Sequence, residues 1–116
     1  MYVGSVLDAG GAALVSDRAL FVRNTILADD VRKALARLAG GYRRERLGNV
    51  KCVCITGSVG KTTTKDMTAL VLAANRPTYA TVGNMNSRIG LPLSVLRIPE
   101  DARACVLEIG MSEPGE

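Results

Sequence analysis

The segment from Val50 to Thr64 constrains this chain more than any other. Val50-Lys51-Cys52-Val53-Cys54-Ile55-Thr56 is short, largely apolar and rich in β-branched residues, the composition of an inner strand in a parallel sheet. Gly57-Ser58-Val59-Gly60 interrupts it as a glycine-rich turn. Behind the turn, Met67, Leu70, Val71 and Ala74 repeat at i, i+3, i+4 and i+7, which predicts an amphipathic helix. Asn75-Arg76-Pro77 ends that helix, and Thr78-Tyr79-Ala80-Thr81 reads as a second strand. Ile89 to Leu96 predicts a short helix, with Pro92 tolerated in its first turn. Ala104-Cys105-Val106-Leu107-Glu108-Ile109 is a third strand that closes on an acid. Strand, helix, strand, helix, strand predicts a parallel α/β sheet from about residue 50 onward.

The first half is less sharply written. A helix ending near Leu7 would close on Gly10 or Gly11 in a left-handed cap. Ala12 to Val15 predicts a short buried strand, and Phe21 to Leu27 a second strand-like run. Asp29-Asp30 then opens a helix, acids placed at its positive end. Val31, Leu35, Leu38 and Tyr42 fall on one face of it, and Leu47-Gly48-Asn49 is a connector.

Composition narrows the function classes. The chain has 116 residues, 47% of them hydrophobic and 22% charged, the balance of a globular protein and not of a disordered tail. Charges interrupt every apolar stretch, so no membrane insertion is expected, and no leader is visible. A cytoplasmic location is the resulting expectation. The net charge of +4 owes much to Arg43-Arg44-Glu45-Arg46, which reads as a solvated helix end. No broad basic stripe with interleaved aromatics accompanies it, so no nucleic-acid partner is expected. Histidine is absent, which removes the commonest general base and metal ligand. Cys52, Cys54 and Cys105 lack the partners for a structural zinc site and read as reduced core thiols, Cys52 and Cys54 on the same side of their strand.

Chemistry concentrates at the glycine turn. Gly57 and Gly60 let backbone N–H groups converge on a polyphosphate without an obstructing Cβ. The helix behind them aims unsatisfied N–H groups and its positive dipole end at the same anion. Thr56, Ser58, Val59 and Thr63 complete the cradle, Lys61 supplies a mobile charge, and the Thr62 hydroxyl can reach a bound Mg²⁺. The strict phosphate-loop pattern has glycine five before Gly60, where Ile55 stands. The competing reading is a plain strand-to-helix turn with a surface lysine. It leaves unexplained why three threonines, mediocre helix formers, follow that lysine. Glu108 closes the third strand at the carboxyl edge where parallel sheets present ligands, so it can hold Mg²⁺ or simply be a solvated acid. Thr81-Val82-Gly83-Asn84-Met85-Asn86 comes after the second strand and offers amides to phosphate or metal-bound water, with an ordinary Asx turn as the alternative.

Taken in order, ITGSVGKTTTK, TVGNMNSRIGLPLSVLR and VLEIGMSEPGE resemble the Mur ligase family. Within it they look most like the branch that joins D-alanyl-D-alanine to UDP-N-acetylmuramoyl-tripeptide in peptidoglycan synthesis. The resemblance implies that residues 1–48 end an N-terminal substrate-binding α/β domain and residues 49–116 begin a parallel-sheet ATPase domain. It implies ATP and Mg²⁺ as cofactors and an acyl-phosphate intermediate. Lys61 would neutralise charge on the transferring phosphoryl group, Thr62 and Glu108 would hold Mg²⁺, and Asn84 would help place the nucleotide or its metal. Such ligases are several times longer, so this chain alone is expected to be inactive. Val59 departs from the family, which often has asparagine there. GSVGKTTTK also resembles the loop of signal-recognition-particle GTPases, and a folylpolyglutamate-type or other Mur step is a further alternative.

Overall fold

The computed structural model describes residues 3–111, so Ser112 of the third motif lies outside the described residues. The chain divides into two compact units, residues up to Ala34 and residues from Leu35 onward.

In the first unit, helix α1 (Val3–Asp8) ends as its glycines predict. Gly10 is left-handed at φ 84° and donates its N–H to Leu7, while Gly11 donates to Val6. These two bonds form a Schellman closure. Strand β1 (Leu14–Ser16) pairs in parallel with β2 (Thr25–Leu27). The strand expected from Phe21 is therefore shorter than its composition suggested. Asn24 stands at φ 62° and sends its Nδ2 to the Ala12 carbonyl, so the chain turns there, and Phe21 is fully exposed.

Helix α2 (Val31–Arg46) starts on Asp30, whose Oδ1 accepts the N–H groups of Arg32 and Lys33. The Lys33 N–H bond holds the Asp30 carboxyl below its ordinary value against an opposing burial effect, and the Arg32 N–H bond adds to the lowering. Further along, within the second unit, the buried stripe differs from the one expected. Leu38 is exposed and Ala39 is buried, with Leu35 and Tyr42 half-buried beside it. The Tyr42 hydroxyl donates to the Ile98 carbonyl at 2.9 Å, which satisfies its polar end. Arg43, Arg44 and Arg46 occupy the last turn, where cations favour the negative end of the helix dipole.

The second unit is built on a parallel sheet of strands β3 (Lys51–Ile55), β4 (Thr78–Ala80) and β5 (Ala104–Glu108) in the order β3-β5-β4. The helices between them are α3 (Lys61–Ala73) and α4 (Gly90–Leu96). The run expected to be the inner strand, β3, is an edge of these three strands, and β5 is the centre. Every residue of β5 is buried. Its alternation splits the strand between two faces. Cys105 and Leu107 pack with Ala39, Leu47, Val50, Val95 and Ile98, while Val106 and Glu108 point to the opposite side, where Thr62 of α3 reaches Glu108.

Two apolar expectations change. Met67, Leu70 and Val71 of α3, read as its buried stripe, are 63%, 74% and 71% exposed, and the helix instead buries Lys65 with Thr68, Ala69 and Leu72 partly covered. Cys54 is exposed, not a core thiol. Cys52 and Cys105 are register partners across β3 and β5. Burial, then a hydrogen bond to Cys52, pushes the Cys105 thiol well above its ordinary pKa, so it stays protonated and inert.

Helix α4 approaches the 81–86 turn closely. A Cβ on Gly90 would stand 2.7 Å from the carbonyl carbon of Met85 and 2.8 Å from its Cα. Backbone cannot retreat as a side chain can, so Gly90→Ala is expected to destabilise the fold by about 1–3 kcal/mol or more. Thermal unfolding followed by circular dichroism measures this; an unchanged midpoint would contradict the packing.

Candidate functional site

The carboxyl ends of β3, β5 and β4 lie side by side because the strands are parallel and in this order. The connections that leave those ends therefore meet at one edge of the sheet. After β3 comes the glycine turn, after β4 the 81–86 segment, and between them stands Glu108, the last residue of β5.

The turn has the conformation its glycines permit. Gly57 is at φ 147° and Gly60 at φ 75°, both in regions that side-chain-bearing residues rarely enter. Gly60 is also the N-cap of α3, and no side chain caps that helix. The first N–H groups of α3 therefore have no side-chain cap and can receive an anion, at a start that carries three successive threonines, mediocre helix formers. Lys61 folds back along the turn and donates its Nζ to the Gly57 carbonyl at 2.7 Å. That bond is exposed and easily exchanged for a phosphate oxygen. Thr56, Ser58 and Val59 are exposed on the same turn, Val59 at 87%.

Glu108 is only 2% exposed, so its carboxylate must be satisfied from within the protein. The Thr62 hydroxyl donates to Oε2 at 2.9 Å, and Asn86 Nδ2 donates to Oε1 at 2.7 Å. One donor comes from the first turn of α3 and the other from the segment after β4. The Glu108 N–H in turn donates to Thr81 Oγ1 at 3.1 Å. Asn86 also accepts the Gly110 N–H at its backbone carbonyl, and a Cβ on Gly110 would lie 3.1 Å from that oxygen. This close approach explains the glycine two residues after the acid.

Thr62 and Glu108 are therefore brought together, and the turn bearing Lys61 leads directly into the helix that carries Thr62. Asn84 is exposed and accepts the Asn86 N–H at its backbone carbonyl. The amide that reaches the acid is Asn86, the second of the Gly-Asn-x-Asn motif, where the family resemblance had pointed to Asn84. Spacing did not separate the two asparagines, because the turn at Gly83 (φ 58°) decides which one faces β5.

The donor set fits a hard divalent cation beside a polyphosphate. Hydroxyl and carboxylate oxygens converge, and hard cations such as Mg²⁺ take oxygen ligands. Among the described residues no group of three or more His, Cys, Asp or Glu is placed to hold a metal on its own. The pair Thr62 and Glu108 could supply at most part of a cation's shell, which a nucleotide's phosphates would have to complete. No helix among the described residues is long and apolar enough to cross a membrane.

Comparison with known proteins places these features. Residues 55–116 match the Mur ligase middle domain. The UDP-N-acetylmuramoyl-tripeptide–D-alanyl-D-alanine ligase of Bacillus subtilis is 46% identical over 99% of this chain, which spans 26% of that protein. The ligase of the same name from Escherichia coli is 38% identical over 93% of this chain and 24% of its own length. The crystal structure of MurF ligase from Thermotoga maritima in complex with ADP superposes with a TM-score of 0.80 at 37% identity, covering 98% of this chain and 26% of that one. The chain thus spans about a quarter of the length of the relatives it matches.

The hydrogen bond from Asn86 supplies a test of the geometry that needs no activity. Asn86→Asp would set a second carboxylate against Glu108, and like charges so close cannot both ionise without cost. Their shared proton would titrate above the ordinary carboxylate range in the folded state. The pair is then tolerated at low pH, and stability is lost as the pH rises through that raised pKa. The variant should match the parent in thermal midpoint near pH 4 and fall behind it by pH 7; a gap independent of pH would contradict the contact.

Proposed function

Because this chain belongs to the Mur ligase family, we propose that it forms part of an ATP-dependent ligase that adds D-alanyl-D-alanine to UDP-N-acetylmuramoyl-tripeptide. Residues 1–48 are the end of that enzyme's substrate-binding domain and residues 49–116 the beginning of its ATP-binding domain. The similarity to ligases bearing that activity in their names supports the substrates, and the ADP complex of the Thermotoga maritima relative supports the nucleotide. The observation that carries the reading is the convergence of Thr62 and Asn86 on a buried Glu108 beside an uncapped, glycine-gated helix start. The UDP-linked tripeptide named for the relatives is a soluble nucleotide-linked precursor, so this part would work in the cytoplasm.

The roles follow from the chemistry of each group. The α3 N-terminus and the Thr56–Thr63 backbone bind the nucleotide phosphates. Lys61 leaves the Gly57 carbonyl for a phosphate oxygen and offsets charge that grows as the γ-phosphoryl group transfers to the substrate carboxylate. Thr62 and Glu108 would hold Mg²⁺, which when bound neutralises phosphate charge and draws the phosphates into line. Asn86 keeps one Glu108 oxygen engaged and so fixes the plane of the carboxylate. Asn84, exposed in the segment after β4, would meet the nucleotide.

Two substitutions in the full-length protein test this. Lys61→Ala should lower the ligation rate by about 10²–10³-fold or more, because it removes a charge that acts on the transferring group. Glu108→Gln keeps the size and loses the charge, so the Mg²⁺ concentration for half-maximal activity should rise by at least about tenfold. Near-parental turnover in the first, or an unchanged magnesium titration in the second, would refute the assigned roles.

A further inference from the structure

Lys65 is 3% exposed, although lysine is among the residues least often buried. It sits on the face of α3 that meets the sheet, a position where leucine or methionine would pack without the cost of desolvating an ammonium. Its Nζ donates to the Thr81 carbonyl at 2.8 Å. It also lies 3.0 Å from Asp66 Oδ1, but that side chain is 60% exposed, and pairs of this kind contribute little. The bond to Thr81 is what burial of the charge secures.

Thr81 is itself 1% exposed, and all of its polar groups serve this edge. Its N–H donates to the Val106 carbonyl, its Oγ1 accepts the Glu108 N–H, and its carbonyl accepts Lys65. Immediately beyond it the chain turns through Gly83 and returns Asn86 to Glu108. Thr62 and Lys65 are three residues apart on α3 and therefore share a face. One helix thus reaches Glu108 twice, directly through Thr62 and through Thr81 by way of Lys65.

We propose that Lys65 is a positioning residue of the nucleotide and metal site, whose buried ammonium fastens Thr81 and thereby sets the Glu108 carboxylate in place. The inference rests on the reading of the glycine turn as a nucleotide site. It separates two lysines one turn apart. Lys61 makes an exposed bond to a carbonyl at the end of β3 and exchanges it for phosphate; Lys65 makes a buried bond to a carbonyl at the end of β4 and keeps it.

The test is made in the full-length protein with three variants and two readouts. Lys65→Met retains the volume and apolar stem and removes the donor. Groups behind a metal ligand commonly change metal affinity by 10–100-fold, so half-saturation by Mg²⁺ should rise by about tenfold, both in ligation and in calorimetric titration of Mg²⁺ with ADP. Turnover at saturating Mg²⁺ should change much less, and Lys65→Arg, which keeps a donor, should recover part of the shift. Thr81→Val removes only Oγ1 at nearly constant volume and should move Mg²⁺ dependence in the same direction; it carries the test should Lys65→Met fail to fold. Parental Mg²⁺ half-saturation in a folded Lys65→Met, or in Thr81→Val where Lys65→Met does not fold, would overturn the proposal. Lys61→Ala is run alongside. If it too ligates normally, the nucleotide reading itself has failed; if it is inactive while Lys65→Met and Thr81→Val titrate as the parent does, only the role of Lys65 has failed.

Discussion

A carboxylate withdrawn from water at the end of a central strand organises everything near it. Glu108 cannot remain buried without donors, and its own strand supplies none for the side chain. The donors come from the two flanking connections, Thr62 after β3 and Asn86 after β4. Satisfying one acid therefore fixes the spacing of the glycine turn, the first turn of α3 and the 81–86 segment at once. The close approaches at Gly90 and Gly110 are further consequences, because each lets backbone come near that segment where a methyl group would block it. The apolar core on the far side, built from α2, α4 and the Cys105–Leu107 face of β5, holds the strand that carries the acid.

Much of this was legible in the residues. The run from Val50 to Thr64 announced strand, turn and helix, Glu108 stood out as an acid closing an apolar strand, and Asp30 was visible as a helix start. These signals are local, since each depends on neighbours a few residues away. Strand order was not legible in the same way. Among the three described strands β5 takes the centre, a placement that depends on pairings between distant segments, as in Cys52 with Cys105.

Helix α3 shows what periodicity alone does not rank. Its more apolar stripe, Met67, Leu70 and Val71, lies outward, whereas the face toward the sheet carries Lys65, Thr68, Ala69 and Leu72. A hydropathy pattern ranks Lys65 as solvated, and only the carbonyl at Thr81 makes its burial sensible. Asn84 and Asn86 posed the complementary difficulty: two identical side chains in one motif, distinguished by a backbone turn that no residue spacing reports. The relatives' similarity identified the family without resolving either point.

The position of β5 also has a meaning in time. It is the last of the three strands in the chain and the only one that touches both others. Until residue 108 has left the ribosome, β3 and β4 have no hydrogen-bonded neighbour among the described strands, and Thr62, Thr81 and Asn86 have no common partner. The glycine turn is synthesised early but cannot be locked. Such long-range pairings are slow because the intervening loop must close before any contact rewards it. Arrival of one five-residue strand then joins these three strands and gives the donors around Glu108 their common partner in one step, so a nascent chain that stops short of it should be an easier target for proteases than one that passes it.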